Sequence, residues 1–149
     1  MSEPLPVRFS VLLVEDDPGD AGLVKAAFAD GRFHCVITHV TDGVEAMKRL
    51  RAALDSDGGK LPDLVLLDLN MPKMGGHEVL AEMKADLRLR DVPVVVLTTS
   101  DAERDVSSAY HSGASGYVTK PVDVDSLFES IRGIQDYWFG LMRLPLNRG

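Results

Sequence analysis

The sequence predicts an α/β fold, a doubly wound five-stranded parallel sheet with helices on both faces. Three observations carry that prediction. Strand-like apolar runs alternate with segments of helical apolar periodicity along the whole chain. The runs Leu64 to Leu67 and Val94 to Leu97 are apolar without alternation, as strands covered on both faces require. Four runs also stop abruptly at polar residues: Val11 to Val14 at Glu15, Asp16 and Asp17; Leu64 to Leu67 at Asp68; Val94 to Leu97 at Thr98, Thr99 and Ser100; Tyr117 to Thr119 at Lys120 and Pro121. An acid at the mouth of a buried strand, followed by Pro and Gly punctuation, has no packing role and sits where solvent or a ligand reaches it.

The elements follow in order. The first helix starts at Pro18 behind the cap Asp17 and ends near Gly31, with Leu23, Val24, Ala27 and Phe28 as its apolar stripe. A second strand covers Cys35 to Val40. Asp42 and Glu45 have capping-box spacing, and Met47, Leu50 and Leu54 share one face of the second helix. Asp55, Ser56, Asp57, Gly58, Gly59 and Lys60 form a polar loop that returns the chain to the strand ending at Asp68. The third helix spans roughly His77 to Leu87 and turns Val79, Leu80, Met83 and Leu87 inward. Strand four is Val92 to Leu97. Ser100 and Glu103 open a fourth helix that carries Val106, Ala109 and Tyr110 and stops at Gly113. After the short fifth strand, Val124, Leu127, Phe128, Ile131, Ile134 and Trp138 keep helical spacing to near the C-terminus.

Open sheets of this kind hold their sites outside the carboxyl ends of the strands, where strand order reverses. The second strand has the weaker ending Thr41, Asp42, Gly43, whereas the other four end in acids, hydroxyls or an amine. Strands one, three, four and five therefore flank the site and strand two lies outside, the order 2-1-3-4-5.

Composition narrows the function classes. A chain of 149 residues suits one domain, with a core from about 9 to 135 and an apolar extension over 136–149. Hydrophobic residues at 45% and charged residues at 26% are those of an ordinary globular protein, which excludes disordered and fibrous classes. The net charge of -7, with no dense basic cluster, argues against direct nucleic-acid binding. Cys35 is the only cysteine, so no internal disulfide forms, and its apolar neighbours Val36 and Ile37 make it a small buried filler. No segment has signal-peptide character or approaches the ~20 apolar residues of a membrane span. A cytoplasmic protein without membrane contact is expected. His34, His39, His77 and His111 follow no metal-ligand spacing and read as surface or loop residues.

Glu15, Asp16 and Asp68 brought together would repel: two unit charges ~4 Å apart cost about 4 kcal/mol at an effective dielectric near 20. A hard divalent cation with oxygen ligands relieves that repulsion, and few carboxylates with retained waters suit Mg²⁺ better than Ca²⁺. A carboxylate beside a cation, a hydroxyl and an ammonium is a phosphoryl site, in which the carboxylate can form an aspartyl phosphate. Taken singly, Asp16 or Asp17 could be a cap, Thr98 a strand end and Lys120 a solvated charge. Four such endings at four carboxyl ends are hard to explain by accident.

In VLLVEDD at 11–17, DLVLLDLNMPKMGG at 63–76, VVVLTTS at 94–100 and GASGYVTKP at 113–121, the chain resembles the receiver domains of two-component response regulators, a flavodoxin-like fold. The resemblance covers about residues 9 to 135. It implies Asp68 as phosphoacceptor, Asp16 as a direct Mg²⁺ ligand, Glu15 in the acidic pocket acting through water, and Asn70 lending its backbone carbonyl to the metal. It implies Thr98 as switch hydroxyl, Tyr117 as the aromatic that moves with it, Lys120 as phosphoryl contact, and a cis bond between Lys120 and Pro121. Asn70 and Thr99 flank the phosphoryl position and could tune its hydrolysis. A signalling protein rather than an enzyme is expected.

The chain runs on past the last necessary helix through Tyr137, Trp138, Phe139, Leu141, Met142, Leu144 and Leu146, seven apolar residues in ten. Such a surface must be covered. Folding back on the domain is one solution; self-association of two copies through an isologous contact is the favoured one. The tail, the loop at 55–62 and DLNMPKMGGHEVLAEMK resemble the stand-alone regulators associated with cyanobacterial and bacterial phytochromes. That resemblance implies a histidine kinase with a light-sensing input as donor, and a homodimer. Two other classes compete. A phosphatase of the haloacid dehalogenase type also uses Asp, Mg²⁺, a hydroxyl and Lys, but needs a second Asp where Asn70 stands; an interaction module with a dead site would not need the intact acid, hydroxyl and lysine set.

Overall fold

The structure, a computed structural model, describes residues 8–56, 59–69, 71, 74–99 and 103–141. Strands and helices alternate as β1 (Arg8–Val14), α1 (Pro18–Asp30), β2 (His34–Val40), α2 (Gly43–Asp55), β3 (Leu64–Leu67), α3 (Gly76–Ala85), β4 (Val94–Thr98), α4 (Glu103–His111), β5 (Gly116–Thr119) and α5 (Val124–Gln135). All pairings are parallel and the order is β2-β1-β3-β4-β5, as the unequal strand endings predict.

The pleat divides the core in two. Leu12, Val14, Val65, Leu67, Val94 and Val96 meet Met47 and Leu50 of α2 and Val79, Leu80 and Met83 of α3. Val11, Leu13, Leu64, Leu66, Val95 and Leu97 meet Val24 and Phe28 of α1 and Leu127, Ile131 and Ile134 of α5. Both faces of β3 and β4 are thus covered, which is why those runs are apolar without alternation.

The caps hold the loops that frame the strand ends. Asp17 accepts from the amides of Gly19 and Asp20, Asp42 from Glu45, and Asp123 from Ser126. A cap of this kind stabilises by about 1 kcal/mol. Gly113 ends α4 with φ 104°, a conformation that favours glycine. Ser100 and the Glu103 side chain lie outside the described residues, so the α4 capping box does too.

Several expected positions shift. The third helix ends at Ala85, not Leu87: Leu87 is 72% exposed, and Leu89 in the following turn is buried in its stead. Strand four starts at Val94 because Pro93 has no amide to give the ladder. Leu23 is exposed, and Ala21 takes the inward position on α1. Tyr110 and Val124 are exposed as well.

The tail also departs from the favoured expectation. Beyond α5 the chain widens into a π-helical turn, Asp136–Leu141, and buries Trp138 and Phe139 on its own domain. Phe139 is edge-on to Phe33, with ring centroids 6.0 Å apart. Self-association is not needed to cover Phe139, because Phe9 of β1 and Phe33, just before β2, meet its ring, and Trp138 is buried in the same core cluster. Tyr137 stays 46% exposed. The Leu141 side chain and Met142 onward lie outside the described residues. Among the described residues no helix is long and apolar enough to cross a membrane.

Candidate functional site

Register brings the strand ends together. Val14 pairs with Leu67, so Glu15 and Asp68 leave the sheet side by side. Backbone bonds continue one residue past the strands: Asp68 donates to the Val14 carbonyl at 3.0 Å and Glu15 to the Val40 carbonyl at 3.0 Å. On the far side the Lys120 amide donates to the Thr98 carbonyl at 2.7 Å. Gly76, the first residue of α3, packs so closely on the Asp68 carbonyl that a Cβ there would collide with it.

One carboxylate oxygen from each of Glu15, Asp16 and Asp68 lies within 4.8 Å of the others. Glu15 and Asp68 are buried and Asp16 is exposed, so the cluster opens to solvent through Asp16. The Lys120 ammonium hydrogen-bonds Glu15 Oε1, donates to Asp20 Oδ2 at 3.0 Å and stands 3.9 Å from Asp68 Oδ2. Thr98 is fully buried at the end of β4, the strand beside β3. Alternation from Val96 puts Thr98 on the α2 and α3 side of the sheet, where Tyr117, paired with Val96, also packs. Thr99 is exposed next to it.

Burial pushes the Glu15 carboxyl up to about 7; the hydrogen bond from Lys120 opposes this and the charge of Asp68 reinforces it. Burial alone would lower Lys120, but its bonds to Glu15 and Asp20 outweigh that and hold the ammonium above its ordinary range. The donor set fits a hard divalent cation: three clustered carboxylates repel, and oxygen coordination removes the repulsion.

The structure brings together Glu15, Asp16, Asp68 and Lys120, with Thr98 one strand away. Asn70 lies outside the described residues. The Lys120–Pro121 bond, expected cis, is trans, since no peptide bond among the described residues is cis. Trans is the lower-energy isomer before proline by about 0.5–1 kcal/mol, and Lys120 reaches the carboxylates in it.

Two participants escape the sequence reading. Asp20 shares the Lys120 ammonium; as an acid in the first turn of α1 it carries no separate signal in the sequence. His39 is not a loop or surface residue but a half-buried member of β2, with Nε2 2.8 Å from the Glu15 carbonyl oxygen. His34, at the start of the same strand, is exposed.

Residues 11–132 match the response regulator receiver domain. The chain belongs to this family. This receiver is 43% identical to a probable methanogenesis regulatory protein, FilR2, of Methanothrix harundinacea, over 92% of the chain and 88% of that protein. It is 38% identical to response regulator Rcp1 of Synechocystis over 91% of the chain and 92% of that protein. The structure of a phosphorylated cyanobacterial phytochrome response regulator, RcpA, superposes with a TM-score of 0.85 at 40% identity, covering 94% of this chain and 100% of that one. The Mn²⁺-bound form of Rcp1 superposes with a TM-score of 0.83 at 38% identity, covering 93% and 99%. As a family member the receiver is a phosphoacceptor of two-component signalling that takes phosphoryl groups from histidine kinases, with a divalent metal at the acidic pocket. The haloacid dehalogenase reading is not supported.

Proposed function

We propose that Asp68 is the phosphoacceptor of a cytoplasmic response regulator that uses Mg²⁺. One observation carries the assignment: Asp68 alone among the clustered acids both ends the central strand β3 and faces Lys120. Asp16, Asp68 and the backbone carbonyl of Asn70 would hold the metal, with Glu15 acting through water. When bound, the metal supplies charge neutralisation of the phosphoryl oxygens.

In the transfer, a carboxylate oxygen of Asp68 attacks the phosphorus of a phosphohistidine. The new O–P bond forms as the P–N bond breaks, and the electron pair leaves on the imidazole nitrogen. Lys120 holds its proton throughout and pairs with the incoming charge. Thr98 donates a hydrogen bond to the acyl phosphate, and Tyr117 follows it inward, changing the α4, β5 and α5 surface. Moving that equilibrium from 1:99 to 99:1 requires ~5.5 kcal/mol of differential interaction, within reach of a few charge-assisted hydrogen bonds. By the family resemblance, Asn70 and Thr99 would tune the lifetime of the acyl phosphate against attack by water. Asp68→Asn should abolish labelling by acetyl phosphate in Mg²⁺; unchanged labelling at a single site would refute the assignment, and an unlabelled wild-type chain would favour a phosphorylation-inactive module.

The donor we propose is a phytochrome-type histidine kinase. The likeness to RcpA at 40% identity supports it, and phosphotransfer profiling against purified kinases tests it, because a probable methanogenesis regulatory protein is 43% identical. We also propose a homodimer through α4, β5, α5 and the tail. Supporting it is a groove of about 380 Å³ on this face, lined by Tyr110, Tyr117, Tyr137 and Trp138, with Tyr110 and Tyr137 half-exposed. Tyr137→Glu, which leaves the buried Trp138 and Phe139 in place, should lower the mass seen by light scattering. With its net charge of -7 the protein is not expected to bind nucleic acid.

A further inference from the structure

We infer that Asp20 is a positioning residue that restrains Lys120 in the resting receiver and competes with the phosphoryl group on Asp68 for the same ammonium. The inference rests on the reading of Asp68 as phosphoacceptor. An ammonium has three donors. Lys120, with a side chain only 10% exposed, commits one to Glu15 and one to Asp20 at 3.0 Å. Asp68 Oδ2, at 3.9 Å, is beyond hydrogen-bond reach.

The three acids differ in where they stand. Glu15 and Asp68 follow β1 and β3 and belong to the sheet end, whereas Asp20 is in the first turn of α1. The pull of Asp20 on Nζ is therefore toward the helix at the rim. Asp20 is fixed there by its own backbone, whose amide donates to the Asp17 cap at 3.3 Å. An acid in a first turn is favoured by the helix dipole wherever it points. That effect does not require a carboxylate aimed at a lysine one hundred residues away in sequence, which is the arrangement seen here.

The consequence is a threshold. Whatever free energy the Asp20 contact contributes to the resting state is subtracted from phosphoryl capture by Lys120. Asp20 is 42% exposed at its side chain, so solvent screens the pair and the effect is a few-fold.

Beryllofluoride, which mimics an acyl phosphate on a carboxylate, provides the test. It is titrated onto the full chain in saturating Mg²⁺ by calorimetry. Asp20→Asn should bind it about threefold more tightly than wild type, the scale of a half-exposed ion pair. The control is Asp123→Asn. Asp123 lines the same small cavity of about 90 Å³ as Asp20 and Lys120, yet its carboxylate caps α5, a role Asn also fills. The control should bind as wild type does. Equal tightening in both variants would show a through-space charge effect and overturn the inference, as would unchanged or weaker binding by Asp20→Asn with an unaltered urea midpoint. A wild-type chain that takes neither beryllofluoride nor label from acetyl phosphate overturns the phosphoacceptor reading itself, and this inference with it.

Discussion

Phe139 lies almost flat on Phe9, ring centroids 4.2 Å apart and 13° between planes, so the turn after α5 is stacked on the start of β1. The contact joins residues 130 positions apart through the edge of the sheet. Phe139→Ala should therefore cost about 3 kcal/mol or more, the usual range for a buried aromatic. Tyr137→Ala, at a half-exposed neighbour, should stay within about 1 kcal/mol. Urea denaturation of both variants checks the contrast; equal losses would mean that the tail is not packed as described.

The acidic pocket makes stability fall with rising pH when metal is absent. Glu15 has its folded-state carboxyl raised to about 7 from 4.5. The folded chain thus binds more protons than the unfolded chain between those values, and stability decreases as pH rises through that window. Melting temperatures in EDTA should drop between pH 4.5 and 7, and Glu15→Gln should flatten that slope.

Metal should act in the opposite sense. A cation that binds the folded carboxylates alone stabilises by mass action, about 2.7 kcal/mol at a hundredfold excess over Kd. Addition of Mg²⁺ near pH 8 should raise the melting temperature. Asp16→Ala and Asp68→Asn should each remove most of the rise, since each deletes one of the three clustered carboxylates. Ligands must be deprotonated, so the Mg²⁺ affinity should also weaken as pH falls below 7.

Gly76 offers a test that alters no charge. A Cβ there meets the Asp68 carbonyl and the Leu69 Cα, at 2.7 Å from the latter, and both atoms are backbone. Gly76→Ala should cost about 1–3 kcal/mol, as overpacking does. The strain falls on the phosphoacceptor's own peptide, so acetyl phosphate labelling should slow in Gly76→Ala more than in Phe139→Ala, although the latter loses at least as much stability.

The fold and most of the site could be read from residues near the strand ends. Glu15, Asp68, Thr98 and Lys120 each follow an apolar run closely, and a parallel sheet delivers all such endings to one edge. Asp20 and His39 were harder to read because neither ends a strand. Asp20 sits on a helix, where a first-turn acid has a local reason to exist, and His39, without metal-ligand spacing, reads as a surface or loop residue although it lies half-buried inside β2. Leu87 and Leu89 show the same limit on packing. Helical spacing favours Leu87, but the helix ends at Ala85 and the next turn swings Leu89 inward.

The sequence by itself determined the five βα units, their order and the group of acids, hydroxyl and amine at the carboxyl edge. Those follow from periodicity and from the polar residues that stop each strand, both local properties. Only the tertiary structure decided which carboxylates hold Lys120, that the Lys120–Pro121 bond is trans, and that Trp138 and Phe139 cover their own core. These are outcomes of contact between residues a hundred or more positions apart, or of a balance of about 1 kcal/mol between proline isomers. No local pattern records either.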